Sequence, residues 1–284
     1  MEAIRSFDSD FKYDNSKKYL LLLQTGSDAM VYAVYDIANK KYVGLNYLPF
    51  NSLTETQIND YIKKTFEEDP LLNNNFSEVV FQHLSFMAML VPESLFNLKN
   101  LREFLKFHYD IEDKDLIHFQ ELKAAEAFVI FTVPSQIEEL LRSKFPHVKF
   151  SHHTIPFICN ALIPIDNKDT STSLHIYFAS DFFDIVIVRN KKIQLFNSFY
   201  YKKYTDVLFF IANILNLFSI KPDNTKINIS GNMQEVSELK NELKRMFKIL
   251  NFEKYNPAYN YSSRLTLLEQ HRFANFLNLN PCEL

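Results

Sequence analysis

Holding a phosphate takes glycine, and this chain has 3 Gly in 284 residues. Backbone N–H groups must close on the phosphate oxygens, and a Cβ keeps them away. Gly26 follows an apolar run, in Gln24-Thr25-Gly26-Ser27, and Gly231 follows another, in Ile229-Ser230-Gly231-Asn232. A single Gly after a strand satisfies turn geometry and no more. Asp181 and Asp184 lie three apart on a turn-to-strand segment, where two carboxylates need not share a face. His152 and His153 are adjacent, which sends their rings to opposite faces if the segment is extended. Neither has an HxxxH spacing or an acidic partner nearby, so no metal site is expected. Cys159 sits in an apolar run and Cys282 near the C-terminus, without the CxxC spacing of a zinc or redox pair. Cys159 reads as a buried structural thiol. No GxSxG, HExxH or GxxxxGK[ST] pattern occurs. No set of acid, base and nucleophile emerges.

The bulk properties narrow the class. Net charge is -3 with a pI near 6.3, which gives no electrostatic reason to bind nucleic acid. The basic residues Lys240, Lys244, Arg245 and Lys248 fall on one side of a helical pattern and read as a solvated face. Residues 1–18 are polar and charged, unlike a signal peptide. The longest apolar stretches, such as 207–215, are too short for a membrane span, so a cytoplasmic protein is expected. The 28 Phe and 15 Tyr allow a large aromatic core.

The elements that must position these residues follow a repeat. Residues 19–24, 29–36 and 42–47 read as three strands, followed by a helix at 53–68 with Thr54 or Thr56 as N-cap. Strands at 78–83 and 87–91, a helix at 97–108 and an apolar run at 127–133 come next. That run has the pattern of a buried parallel strand. A helix at 136–145, a strand at 148–152 and a helix at 155–162 complete the first half. The polar stretch 163–173 is the expected boundary. Then 174–178, 183–188 and 193–199 repeat the three strands, followed by an amphipathic helix at 206–218. A strand at 226–230, a helix with Leu239, Leu243 and Phe247 inward, a strand at 249–252 and a closing helix at 265–277 finish the chain.

A duplicated order of this kind resembles the actin-like ATPase fold, an α/β architecture that uses an RNase H-like unit twice. The chain resembles a bacterial family of uncharacterised proteins with this fold. More distantly, it is similar to the actin-like scaffold proteins of type IV pilus and type II secretion assemblies. The resemblance covers residues 19 to the C-terminus and implies two domains. The first spans 1–164 with an inserted lobe at about 51–116, and the second spans 165–284. It also implies a cleft in which Gly26 and Ser27 stand at the first phosphate turn, Ser180 and Asp181 at the second, and Gly231 at the adenosine motif. Gln24 stands where relatives place an Asp that positions Mg²⁺. The glycines of the second turn are replaced by Ser180, Asp181 and Phe182, and Phe182 is expected to block backbone approach to a phosphate.

Two readings result. One is a non-catalytic actin-like protein, with no cofactor, that acts as a scaffold or adaptor for a protein partner. Its expected contact regions are the inter-domain groove and the inserted lobe, with Phe76, Phe81, Phe86, Met87 and Phe96. The alternative is a degenerate ATPase or ATP-binding protein that holds Mg-ATP through the Gly26 and Ser180 turns and Gly231. The nuclease version of the fold is excluded, because His175 and Tyr177 occupy the strand that would carry its acids.

Overall fold

A computed structural model describes residues 2–9, 11–12, 17–51, 53–163, 171–233 and 236–278. The first sheet is built from β1 (Ile4–Phe7), β2 (Tyr19–Thr25), β3 (Ala29–Asp36) and β4 (Lys41–Pro49), followed after α1 (Glu55–Glu68) by β5 (Glu78–His83). All seven residues of β2 are buried, because both faces of the strand are covered. Leu21 and Leu23 point into one core with Ile62 and Phe66 of α1, while Leu20 and Leu22 point into a second core on the other face. Thr54 caps α1. Its backbone N–H donates to Gln57 Oε1 at 2.9 Å and its hydroxyl accepts from the Gln57 N–H at 3.4 Å.

A lobe follows, with β6 (Ala88–Pro92), α2 (Leu101–Lys106), β7 (Leu116–Leu122) and β8 (Ala127–Val133). Its strands form an antiparallel sheet in the order β6-β8-β7. The lobe therefore spans a later stretch than the expected 51–116, and α1 belongs to the first sheet. The run at 127–133 is the central strand of this antiparallel sheet, not a parallel strand. Val129 and Phe131 feed one core and Ile130 another, so burial on both faces produces the same apolar run in either direction. The expected helix at 97–108 narrows to α2 after a 3-10 turn.

The chain then runs through α3 (Ser135–Lys144), β9 (Lys149–His152) and α4 (Thr154–Leu162) into the second sheet. That sheet comprises β10 (Ser173–Phe178), β11 (Phe182–Arg189), β12 (Lys192–Tyr200), β13 (Lys226–Gly231) and β14 (Ile249–Phe252). Two helices, α5 (Tyr204–Leu217) and α6 (Val236–Met246), cover one face, with Val207, Ile211, Leu239 and Leu243 buried against it. The expected boundary at 163–173 lies largely outside the described residues.

The C-terminal segment departs from expectation. β15 (Asn260–Tyr261) pairs with β4, and α7 (Ser263–Thr266) and α8 (Gln270–Leu277) follow. Phe273, Ala274, Phe276 and Leu277 fill the core on the outer face of the first sheet. The last helix, expected to close the second domain, does lie against β13 of the second sheet and also fills the core on the first, so it joins the two. The apolar stripe of α8 shows only that it must be buried, not against which sheet.

The repeat is exact in register. β2 and β3 pair with Thr25 opposite Met30, and β10 and β11 pair with Phe178 opposite Phe183. The β3–β4 ladder shifts between Val34 and Tyr35, and the β11–β12 ladder shifts between Ile187 and Val188. Matching residues of the first two strands of each meander are 153 positions apart, as are Ser27 and Ser180, and those of the third strands are 151 apart because the second turn is shorter.

Candidate functional site

The two β-hairpin turns that would hold a phosphate meet across the space between the sheets. The Gly26 N–H donates to the Ala29 carbonyl at 3.0 Å, and the Ala179 N–H donates to the Phe182 carbonyl at 2.9 Å. Both turns therefore spend their leading N–H on closing the hairpin. At the tips, Ser27 Oγ and Ser180 Oγ are hydrogen-bonded at 3.1 Å. Asp28 and Asp181 follow them. Burial pushes the Asp28 carboxyl above its ordinary value, and the Asp181 charge adds to the effect while the Asn232 amide opposes it. One strand position further back, Gln24 meets the Tyr177 phenol. The space that remains is a cavity of about 50 Å³ lined by Gln24, Asp28, Tyr47, Tyr177, Asn232 and Arg272, among others. It has room for roughly three waters. Small-molecule sites run to roughly 300–1,000 Å³.

Four of the five expected site residues, Gly26, Ser27, Ser180 and Asp181, gather at this contact. Gly231 stands behind it. Its φ is +83°, and a Cβ there would lie 2.2 Å from the Phe178 carbonyl oxygen. The Asn232 N–H donates to the same oxygen at 2.7 Å. Gly231 is thus required by the turn off β13, whatever it binds. These groups do not fit a nucleotide triphosphate. The Gly26 and Ala179 N–H groups are spent, the hydroxyls touch, and two carboxylates stand where a polyanion would lie. Phe182 plays a different part from the one expected. It is buried between Phe86, with ring centroids 5.8 Å apart, and His153, at 5.7 Å, and packs away from the turn.

Behind the turns runs a buried polar chain that the sequence did not reveal. His153 Nε2 lies 2.5 Å from Asp184 Oδ2, and the Ser198 hydroxyl donates to Asp184 Oδ1 at 2.5 Å. The His153 and Asp184 side chains are wholly buried. The His153 N–H donates to the His83 carbonyl at 3.1 Å, and Asn275 Nδ2 donates to the His153 carbonyl at 2.9 Å. Beside it, His152 Nε2 is 3.1 Å from Ser85 Oγ and its Nδ1 is 3.0 Å from Thr154 Oγ1. The His152 and His153 rings lie 4.5 Å apart, not on opposite faces. His153 has helical backbone angles at the entry to α4, so the alternation of a strand has already ended there. Ser, His and Asp are all present, but both Ser198 and His153 address the carboxylate. No imidazole touches the hydroxyl, so the Ser–His–Asp relay order is absent. Its geometry is that of a clamp joining α4 to β11. Among the described residues, no group of three or more His, Cys, Asp and Glu could hold a metal.

Other expected contacts are spent on packing. Phe81 is core, Phe86 stacks on Tyr200 at 4.0 Å, and Phe96 stacks on Phe128 at 3.7 Å. The exposed apolar residues of the lobe are instead Leu95, Leu98, Phe107, Leu116 and Phe119. Cys159 is half-buried, and Cys282 lies outside the described residues.

Two meanders of matching register, each continued by helices and parallel strands, with paired hairpin turns facing one another, define the actin-like ATPase fold. Within it, the chain belongs to the family of proteins of unknown function designated DUF3822, whose sequence profile matches residues 8–250. One similar solved structure is a Bacteroides thetaiotaomicron VPI-5482 protein with an actin-like ATPase fold and unknown function. It is 18% identical, with a TM-score of 0.78, and the match covers 88% of this chain and 95% of that one. Another is the PilM–PilN type IV pilus biogenesis complex, 14% identical with a TM-score of 0.65, covering 92% of this chain and 97% of that one. Both likenesses concern the fold. No curated protein matches. Among the described residues, no helix is long and apolar enough to cross a membrane.

Proposed function

We propose that this chain is a non-catalytic, cytoplasmic member of the actin-like class that acts as a scaffold or adaptor for a protein partner. The carrying observation is the Ser27–Ser180 hydrogen bond, which joins the two turns that would otherwise surround a phosphate. The spent N–H groups at Gly26 and Ala179 support the same reading. The likeness to PilM, solved in a complex with PilN, is compatible with it. A frame that has given up its phosphate turns keeps its surfaces as its means of action.

The competing reading is a nucleotide cleft that opens. It draws on the polar lining at Asn232 and Arg272. One measurement separates the two, because a ligand that binds only the folded state must raise its stability. The melting temperature is expected to be unchanged by millimolar Mg-ATP or Mg-ADP. A rise that disappears in Arg272→Gln overturns the scaffold reading.

A further inference from the structure

The two meanders match strand for strand but differ at their outer edges. In the first sheet the third meander strand, β4, is not an edge. β1 pairs with it antiparallel, from Ile4 opposite Tyr47 to Phe7 opposite Gly44, and β15 pairs with its other half. Among the described residues its counterpart, β12, is the last strand in the order β12-β11-β10-β13-β14. An edge strand of nine residues presents a row of backbone donors and acceptors on which another chain can pair.

The geometry identifies the outward groups. The Tyr201 N–H donates back to Asp181, so the neighbouring Tyr200 N–H faces out. The Ser198 N–H is met by its neighbour's side chain, Asn197 Oδ1, at 2.9 Å. That is a local cap on an outward donor, and a strand laid alongside would displace it. Apolar side chains flank the edge on both faces. Tyr200 is 57% exposed on one side. On the other, Phe199 stacks on Phe210 at 4.5 Å, and Phe209 beside it is 62% exposed. At the start of β12, a groove of about 700 Å³ separates Lys191, Lys192 and Ile193 from Pro92, Glu93 and Glu126 of the lobe.

From these observations we propose that β12 is a strand-addition site for an extended, apolar segment of a partner protein with acidic residues at its ends. This deepens the scaffold reading and rests on it. Charge selects the occupant. Residues 190–203 contain no Asp or Glu, and exposed Lys192 lies at one end with exposed Lys202 and Lys203 at the other. Asp206 engages the backbone of Lys202 and Lys203, and Glu93 and Glu126 face Lys192 across the groove, so the lysines offer local contacts and not a broad field. A second copy of this chain suits the edge poorly. Antiparallel self-pairing about Asn197 would bring Lys192 opposite Lys202 of the other copy, and the lobe overhangs the groove end. A single extended segment meets neither obstacle. Main-chain pairing would supply affinity, and alternate side chains against Tyr200 and Phe209 would supply specificity.

The test is selection of a displayed library of random nine-residue peptides on the intact chain. Two variants accompany it: the triple charge reversal Lys192→Glu, Lys202→Glu, Lys203→Glu, and Phe196→Pro, which removes an outward N–H. The charge reversal lies wholly on exposed side chains and keeps the test valid if Phe196→Pro fails to fold. Expected are peptides alternating β-branched or aromatic residues with Asp or Glu at the ends. A synthetic copy of one should slow amide exchange in residues 192–200 and bind the charge-reversed variant at least tenfold more weakly. The proposal is overturned if no peptide is enriched, if binding ignores the charge reversal, or if protection falls elsewhere. Sedimentation showing a dimer with protected 192–200 would replace it with self-pairing. A melting rise with Mg-ATP would strike the scaffold reading alone and leave the peptide result standing.

Discussion

Asp184 carries two hydrogen bonds at zero exposure, and both partners come from other elements. Truncating Asp184 leaves the buried His153 and Ser198 groups without their partner, at about 1–3 kcal/mol for each. Asp184→Ala is therefore expected to lower unfolding stability in urea by that amount, with Asp184→Asn costing less because the amide still fills the site. A variant as stable as the parent would show that the clamp is idle. The histidines make a second residue-scale prediction. Burial pushes His83 down to about 3, His175 to about 4 and His152 well below its ordinary value. All three are neutral in the fold and bind protons more readily when unfolded, so stability holds above pH 6.5 and falls as the pH drops below it. The slope is about 1.4 kcal/mol per pH unit for each histidine that stays neutral. His175→Gln should flatten the acid limb of a stability-versus-pH curve by one such increment, and an unchanged limb would refute it. None of this was legible in sequence. His152-His153 showed two imidazoles, but the carboxylate facing His153 lies 31 residues away on another sheet.

At the scale of elements, the meanders were readable because two strand periods separated by polar turns leave few alternatives. What escaped was whatever depends on a distant partner. β1 is four residues long, and only its pairing with β4 makes it a strand. β7 alternates half-exposed polar and apolar residues, and needs β8 beside it. The lobe limits and the packing of α8 on the first sheet as well as on β13 share this cause: an apolar stripe reports burial without naming the surface. Gly44 tests the β1 edge. A Cβ at that position would lie 2.0 Å from the Phe7 ring. Gly44→Ala must push Phe7 aside, at about 1–3 kcal/mol by the usual cost of overpacking. Amide exchange in residues 4–7 should quicken while β10–β12 stays unchanged. Gly231→Ala should cost more, since it meets backbone at 2.2 Å and a positive φ together. Equal costs for the two would contradict this account of why each is glycine.

At the scale of the whole molecule, what matters is whether the two sheet units stay joined at their turns. The family resemblance implied Gly26, Ser27, Ser180 and Asp181 at one cleft but not against one another, because a contact 153 residues apart depends on how the halves close. The ties of the closed arrangement include Ser27 to Ser180, the His153–Asp184 clamp, and Phe86 stacked on Tyr200. The last two couple the second sheet to α4 and to the segment leading into the lobe, so the turns meet within an already braced frame. If they stay closed in solution, the double variant Ser27→Cys, Ser180→Cys should form a disulfide under mild oxidation with little rearrangement. Linked tryptic peptides containing positions 27 and 180 would identify it apart from Cys159 and Cys282. Closing so long a loop removes unfolded-state entropy worth at most about 5 kcal/mol. In a chain of 284 residues, that corresponds to a rise of roughly 5–8 °C in melting temperature, lost on adding reductant. Failure to form the bond, or a bond that lowers the melting temperature, would mean that the turns stand apart in solution. The cleft would then be open to a ligand, and the nucleotide reading would regain its footing.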